Sequence, residues 1–240
     1  MADTVEDKIH MLELSVQQKE DFMTAFAHEL KTPMTSIIGY ADMIYQEQLQ
    51  PVDAQEAAGY ILNEGLRLEA LSFKLLELMT MDKSDYLLEE TDLHQFLLDV
   101  YQTALPNARK WSVLLMVDCA IGYGKVEVDL LKTLVLNLID NALKSGGTKV
   151  LIRGCCSGED YWISIEDNGR GIPEGELKRI TEAFYMVDKS RSRKAHGAGL
   201  GLALCEKIAE IHMTGLVFES TENVGTTVSL KLPLCKEEEE

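Results

Sequence analysis

The residue best suited to covalent chemistry is His28, in the segment A-H-E-L-K-T-P. With Ile37 at the centre of the apolar stripe and about 100° per residue, His28 falls roughly 180° away, on the solvent side of a helix. Glu29 can accept a hydrogen bond from one imidazole nitrogen and leave the other as a nucleophile. Thr32 can position a water, and Pro33 removes a backbone N–H and predicts a bend. The pattern favours a nucleophilic histidine over a surface histidine without a function.

A second group of polar residues lies in the segment N-L-I-D-N-A-L-K. Helical spacing places Asn137, Asn141 and Lys144 on one face. Amide oxygens beside an ammonium suit a phosphate ligand with Mg²⁺, because neutral amides leave the metal charge free to neutralise phosphates. The alternative is an ordinary amphipathic helix.

The segment D-N-G-R-G-I-P follows a predicted strand that ends at Glu166. Asp167 can accept a hydrogen bond from the exocyclic amino group of adenine. The two glycines, Gly169 and Gly171, allow the backbone to lie against a flat ring. The alternative is an Asx turn followed by a helix that starts at Pro173.

A glycine-rich segment, G-A-G-L-G-L at 197–202, opens a predicted helix, so its backbone N–H groups can bind phosphate. It does not match the P-loop or dinucleotide-binding patterns. Just before it, residues 189–194 carry four basic side chains, which predicts a mobile lid over phosphates. Thr226, in the final turn, can add a hydroxyl near the base.

The histidine is positioned by a helical pair. Apolar spacing predicts one long helix over residues 3–46, a turn at 48–53 with Pro51, and a second helix over 54–83. Two antiparallel helices cannot bury both apolar stripes by themselves. We therefore expect a dimeric four-helix bundle formed with a second copy of the chain.

From about residue 86 helices and strands alternate. We expect helices at 93–109, at 129–145 with Asp129 as N-cap, and after the glycine-rich segment. Strands are expected at 113–117, 149–155, 161–166, 216–220 and 226–232. Because hairpins dominate these strands, the pattern predicts an α/β two-layer sandwich with a mixed sheet.

The composition narrows the functional class. The 240 residues carry 23 basic and 40 acidic side chains, a formal net charge of -17, which disfavours nucleic acid and anionic membrane surfaces as partners. No apolar run is long enough to cross a bilayer. The five cysteines form no C-x-x-C pair, so neither a disulfide framework nor a zinc site is expected.

Five motifs together resemble the transmitter region of two-component sensor histidine kinases. A-H-E-L-K-T-P resembles the H box, N-L-I-D-N-A-L-K the N box, D-N-G-R-G-I-P and G-A-G-L-G-L the two glycine boxes, and F-Y-M-V-D-K-S-R-S-R-K the F box. The resemblance implies a GHKL ATP-binding fold, shared with DNA gyrase and MutL. Residues 1–8 resemble the end of a HAMP relay domain, which implies the cytoplasmic portion of a membrane-anchored sensor. The expected domains are a signalling helix (1–18), a dimerisation and phosphotransfer domain (19–84), a catalytic domain (85–235) and an acidic tail (236–240).

The resemblance also implies roles for individual residues. His28 is the phosphoacceptor, Glu29 its general base, and Thr32 positions water for a phosphatase reaction on a response regulator, whose receiver domain is the expected partner. Asn137 and Asn141 would bind Mg²⁺. The full set expected to bind ATP is Asn137, Asn141, Lys144, Asp167, Gly169, Gly171, Ile172, Tyr185, Lys189, Arg191, Gly197, Gly199, Leu200, Gly201, Leu202 and Thr226.

Some positions depart from the family pattern. Ala183 stands where many members carry Arg or Pro, Ser145 where an aromatic residue often covers the site, and Met213-Thr214 where two glycines are usual. Two other functions are considered: a dimeric scaffold that acts mainly as a phosphatase through Thr32, and a GHKL ATPase. The second is disfavoured because ATP-hydrolysing relatives are expected to carry Glu at Asn137, where an amide cannot activate water.

Overall fold

A computed structural model of the chain describes residues 2–46, 50–81, 86–187 and 199–235, without the side chains of 2–15 and 18. The chain divides into two compact units, Met1–Leu76 and Glu77–Glu240. Among the described helices, none combines the length and apolarity needed to cross a membrane.

The first unit is a helical hairpin, as predicted. Helix α1 spans Ala2–Tyr45 and helix α2 spans Pro51–Thr80. The two helices are antiparallel, because Tyr40 stacks on Tyr60 with 5.0 Å between ring centroids, while Glu29, earlier on α1, meets Arg67, later on α2. The second helix begins three residues before the predicted start. Pro51 opens it, since a proline in the first turn has no N–H that the helix would need.

Helix α1 continues through Pro33, whose ring is buried. Pro33 cannot donate to the Glu29 carbonyl, so one bond of the helical ladder is missing. Hydroxyls nearby bond back to carbonyls four residues earlier: Thr35 to Lys31 at 2.8 Å, and Ser36 to Thr32 at 3.3 Å. Such bonds often accompany a bent helix.

The second unit is a two-layer α/β sandwich with a mixed sheet, which confirms the predicted fold class. Its helices are α3 (Leu93–Trp111), α4 (Val128–Leu143) and α5 (Gly201–Ile211). The strands are β1 (Glu89–Asp92), β2 (Leu114–Cys119), β3 (Tyr123–Val126), β4 (Lys149–Ser157), β5 (Asp160–Asp167), β6 (Val217–Thr221) and β7 (Gly225–Pro233).

The main sheet has the strand order β2-β4-β5-β7-β6, and only β2 and β4 run parallel. Helices α3 and α4 contact this sheet, and α5 packs against α4. Leu97, Leu131, Ile152, Ile163 and Leu204 are among the side chains buried between these layers. The unit therefore encloses its own core.

Two details of the second unit also differ from the sequence predictions. Glu127, not Asp129, caps α4: its carboxylate accepts a hydrogen bond from the Leu130 N–H at 2.6 Å. Asp129 lies inside the first turn, where a carboxylate still favours the positive end of the helix dipole. The second difference is a separate antiparallel pair of β1 and β3, which was not predicted because four-residue strands carry too little periodicity.

Candidate catalytic and nucleotide-binding sites

His28 is exposed on α1, as its place on the polar face predicts. The Thr32 hydroxyl, one turn further, donates to the His28 carbonyl at 3.4 Å, and its side chain is also exposed. The Glu29 carboxylate does not contact the imidazole in this structure. It forms an ion pair with Arg67 of α2, at 3.5 Å between Oε2 and a guanidinium nitrogen.

Helix α4 carries the two asparagines expected to bind a metal. The Asn137 side-chain amide donates to the Thr133 carbonyl at 2.8 Å, which orients the side chain. Its Oδ1 lies 3.4 Å from the position where a Cβ would stand on Gly201, the first residue of α5. Asn141, one turn further, is exposed. The fold thus brings the N-box helix and the second glycine box together.

Lys144 lies at the end of α4 but is paired within the helix. Its ammonium contacts the Asp140 carboxylate at 2.6 Å, and Asp140 also accepts a hydrogen bond from the Asn107 amide at 3.2 Å. A phosphate contact by Lys144 stays a prediction, and it would require the ammonium to exchange or share this partner.

Asp167 is the last residue of β5 and is half-buried. Burial raises the pKa of its carboxyl above the usual value, against the opposing effect of hydrogen bonds from the Gly169 and Thr226 N–H groups and from the Ser145 hydroxyl. The Gly169 N–H donates to Oδ1 at 2.7 Å. This bond is the Asx turn considered as the alternative. The role of Asp167 as an acceptor for adenine stays a prediction beside it.

The backbone of the loop after Asp167 requires a glycine at position 171. Gly171 has a φ of +67°, in the left-handed region, and a Cβ there would overlap the Thr221 carbonyl. A short 3₁₀ turn at Glu174–Glu176 follows Pro173, in place of the helix considered as an alternative. The loop therefore lies directly against the β6–β7 turn.

The β6–β7 turn holds Thr226 opposite Asp167. The two residues are paired in the β5–β7 register. The Ser220 hydroxyl lies 2.8 Å from the Thr226 hydroxyl and accepts from the Ile172 N–H at 2.8 Å. Asp167, Ile172 and Thr226, all predicted to bind the nucleotide, are thus neighbours.

Helix α5 opens in a way that suits an anion. Its N-cap, Leu200, is buried and provides no side-chain hydrogen bond, whereas α3 and α4 are capped by carboxylates. No side chain that the structure describes therefore caps the first N–H groups of α5. The Gly199 carbonyl accepts from the Phe184 N–H at 2.8 Å. Leu202 is half-buried in the first turn.

Tyr185 is half-buried, and its hydroxyl donates to the Glu176 carboxylate. The Arg179 guanidinium lies 4.2 Å from the centre of its ring. Lys189, Arg191, Gly197 and the predicted lid lie outside the described residues, as do residues 48 and 49 of the predicted turn and the acidic tail. The last three residues of that predicted turn, Pro51 to Asp53, belong to α2 instead.

Sequence reasoning missed three residues around these sites. Arg67 binds Glu29, Ser220 joins two loops, and Asn168 accepts from the N–H groups of Thr148 and Lys149, both at 2.9 Å. Ser145 was noted only as a departure from the family, yet its hydroxyl bonds to Asp167. Only Asn168, within the glycine-box motif, carried a signal in the sequence.

Comparison with known proteins covers both units. Residues 18–84 match the family model of the His Kinase A (phospho-acceptor) domain, and residues 126–236 match that of the histidine kinase-, DNA gyrase B- and HSP90-like ATPases. The second match implies a site for ATP. The two matched segments follow each other in the order that the motifs predict.

Similar proteins include two sensor histidine kinases of Bacillus subtilis. SpaK is 29% identical over 99% of this chain and 52% of its own length. WalK is 28% identical over 93% of this chain and 38% of its own. The chain thus spans about half, or less, of the length of these relatives.

Solved structures show the same fold. The Acinetobacter baumannii histidine kinase AdeS has a TM-score of 0.65 at 20% identity, covering 87% of this chain and 98% of that one. Histidine kinase ThkA, solved in complex with the response regulator protein TrrA, has a TM-score of 0.73 at 22% identity, covering 96% and 68%. With both domain models matched in order, the chain belongs to the sensor histidine kinases of two-component systems.

Proposed function

We propose that the chain is an ATP-dependent protein-histidine kinase that phosphorylates His28 and passes the phosphoryl group to an aspartate of a response regulator. The observation that carries the proposal is the exposed imidazole within the matched phosphoacceptor domain, on a chain that also carries the matched ATPase domain. An exposed imidazole has the access that a nucleophile needs.

The nucleotide would bind around Asp167 and the start of α5. A carboxylate has about four acceptor positions, so the three hydrogen bonds that Asp167 accepts leave room for the adenine amino group, and the side chain of Thr226 lies beside it. The phosphates would bind the first N–H groups of α5, which none of the described side chains caps. The carboxylate can accept from the adenine amino group, and the N–H groups can donate to the phosphates.

The amide oxygens of Asn137 and Asn141 fit Mg²⁺, which prefers oxygen ligands. The Thr133 carbonyl holds the Asn137 amide nitrogen, so that the oxygen is directed toward the start of α5. When bound, Mg²⁺ would neutralise phosphate charge. Asn137 has no basic group to activate water, which favours transfer to His28 over hydrolysis.

In the transfer step, Nε2 of His28 attacks the γ-phosphorus of ATP in line. A nitrogen–phosphorus bond forms, the bond from phosphorus to the β–γ bridging oxygen breaks, and ADP leaves. The Glu29 carboxylate would hold the proton on Nδ1 and so keep the lone pair on Nε2. In the second step an aspartate oxygen of the regulator attacks the same phosphorus and restores the imidazole.

A homodimer follows from the apolar surface of the hairpin. On α2, Leu62, Leu66, Phe73 and Leu76 are all exposed, and their spacings of four, seven and three residues form the seam of a helical bundle. On α1, Val16, Met23 and Ile38 are exposed as well. A second copy of the chain would cover both stripes and complete four helices.

Phosphatase activity on the regulator is the second candidate function. The exposed Thr32 hydroxyl, one turn from His28, supports it, since this group can align a water molecule. Fast, Thr32-dependent loss of phosphate from the regulator, without detectable phosphorylation of His28, would favour this function as the main one.

The resemblance of residues 1–8 to the end of a HAMP relay domain supports a cytoplasmic location next to a membrane anchor.

The primary test is incubation with [γ-³²P]ATP and Mg²⁺. We expect label that is lost in acid, as a phosphohistidine is, and that is absent in His28→Ala. ATP binding should be unchanged in this variant, because the substitution lies outside the nucleotide-binding unit. Label that persists in His28→Ala would sink the assignment, and phosphate release independent of His28 would indicate an ATPase instead.

A further inference from the structure

Among the described residues, Arg67 forms an ion pair with Glu29. One guanidinium nitrogen lies 3.5 Å from Glu29 Oε2, and another lies 3.7 Å from Glu64 Oε2 on the same helix as Arg67. The Arg67 side chain is only 12% exposed and the Glu29 side chain 25%. A half-buried pair is less screened by water than a surface pair, so this contact restricts where the Glu29 carboxylate points.

The proposed transfer step needs the Glu29 carboxylate beside His28 instead of beside Arg67. Glu29 must hold Nδ1 of His28, but successive side chains on a helix point about 100° apart and do not face each other. A carboxylate directed at Arg67 on α2 is therefore directed away from the exposed His28. The arrangement in the structure fits a resting state of the phosphoacceptor.

Three features make the Glu29–Arg67 contact exchangeable. At 3.5 Å it is longer than a hydrogen bond, and it joins single atoms instead of forming the strong two-fold contact of arginine and carboxylate. The guanidinium is shared with Glu64. The helix is also less restrained at Glu29, because Pro33 has no N–H to give to the Glu29 carbonyl.

We propose that Arg67 is a positioning residue that holds the Glu29 carboxylate away from His28, and that release of this carboxylate precedes phosphorylation. The inference rests on the proposed kinase function. Because the contact joins α1 to α2, a displacement of one helix against the other changes the distance between Arg67 and Glu29. Helix movement would thereby control the reactivity of His28.

The first experiment measures the initial rate of His28 phosphorylation by the full chain. In Arg67→Gln we expect the rate at saturating ATP to rise about 5-fold, the ratio that corresponds to one ion pair of this kind, with the KM for ATP unchanged. Arg67→Lys keeps the charge and should stay near the wild-type rate. Glu64→Gln leaves the guanidinium to Glu29 alone, so we expect a slower rate.

The second experiment observes the His28 ring by ¹⁵N NMR, without ATP. In Arg67→Gln the freed carboxylate should shift the imidazole toward the tautomer with its proton on Nδ1. In Glu29→Gln the further change Arg67→Gln should have no effect on the ring, because Arg67 acts only through the carboxylate. A general structural role of Arg67 would alter the spectrum in both backgrounds.

Two results would overturn the inference: an unaltered or reduced rate in Arg67→Gln, or an effect of Arg67→Gln that persists beside Glu29→Gln. If Arg67→Gln fails to fold, as judged by circular dichroism, a rate for Glu64→Gln equal to or above that of wild type also contradicts it. Failure of the kinase proposal is separate, because wild type would then carry no His28-dependent label while the NMR comparison still tests Arg67.

Discussion

The two units of the chain differ in how far each completes its own core. Among the described side chains of the helical hairpin, only Pro33, Ala57 and Leu71 are buried apolar residues. The α/β unit instead buries side chains from the three helices described in it and from the main sheet. The hairpin leaves an apolar surface that a partner must cover. The α/β unit encloses its own core, and such a rigid scaffold can hold a binding site in a fixed geometry.

This difference extends to the candidate sites. In the proposed mechanism His28 needs only exposure and one carboxylate released toward it, and both side chains lie on a single helix, α1. The nucleotide site needs two strand ends, two turns and two helix faces at fixed distances. We therefore expect substitutions of the exposed apolar residues of the hairpin to act through assembly and those in the α/β unit to act locally.

The strongest expected effect is on assembly. Leu66→Glu places a charge in the exposed stripe of α2, and burying it unpaired in a dimer should raise the dimer Kd by about 100-fold or more. Sedimentation velocity measures this shift. Leu87→Glu, at an even more exposed residue outside both helices, is the matched control and should leave association unchanged. An equal dimer Kd in both variants would contradict the claim that the apolar stripe of the hairpin needs a partner.

The next effect concerns the loop beside Asp167. Gly171→Ala combines a left-handed backbone with overlap of the Thr221 carbonyl, so we expect a loss of about 2–4 kcal/mol in unfolding free energy. Gly175→Ala, where a Cβ meets nothing within 4 Å, should cost under about 1 kcal/mol. Denaturant unfolding compares the two. A Gly171→Ala chain as stable as the control would show that this loop is not held against the β6–β7 turn.

Asp167→Asn should separate binding from stability within the α/β unit. Loss of a charged acceptor is expected to weaken ATP binding by about 10- to 100-fold. Asparagine keeps an oxygen for the Gly169 N–H, so the fold should persist. Calorimetric titration with ATP, repeated at several pH values alongside thermal unfolding, measures both.

The pH dependence of that comparison has a definite sign. Because burial raises the pKa of Asp167, the folded chain binds this proton more tightly than the unfolded chain does. In acid the carboxyl is neutral, and its burial then costs no charge desolvation. This cost to the unfolding free energy begins as pH passes the pKa of Asp167 in the unfolded chain, and it is complete above the raised pKa in the folded chain. The stability of Asp167→Asn relative to wild type should therefore increase with pH over that interval. A constant difference would contradict the assigned cause.

The smallest effect should be a gain. Met213 follows α5 with a φ of +57°, and the N–H groups of Met213 and Thr214 bond to Glu210 and Ala209 in the pattern of a Schellman cap. Met213→Gly should therefore stabilise the α/β unit by about 0.5–1 kcal/mol. Met213→Ala keeps the Cβ and should give no such gain. A gain in both variants would attribute the effect to the exposed side chain.

Much of the fold could be predicted from periodicity. The long helix α1, the hairpin of β4 and β5, and the mixed sheet all follow from apolar spacing and turn residues. The short strands β1 and β3 and the cap of α4 could not be predicted. Four residues show no reliable period, and either Glu127 or Asp129 could have served as the cap.

The site was predictable in part for the same reason. Motifs singled out His28, Asn137, Asp167 and the glycine boxes as candidates, because each lies in a local pattern of residues. The environment of each depends on residues far away in sequence. Arg67 lies 38 positions beyond Glu29 and belongs to no motif. The hydroxyls around Asp167 come from a helix end and another hairpin.

The sequence by itself determined which side chains are chemically competent: an imidazole on a polar helix face, amides in a row, and glycines beside a carboxylate. These follow from local spacing, since a helix or strand repeats on a fixed period. Tertiary structure decided the partners: Glu29 with Arg67, Asp167 with Ser145 and Thr226, and Asn137 with the start of α5. Such partners depend on packing between elements, and packing is set by the whole core.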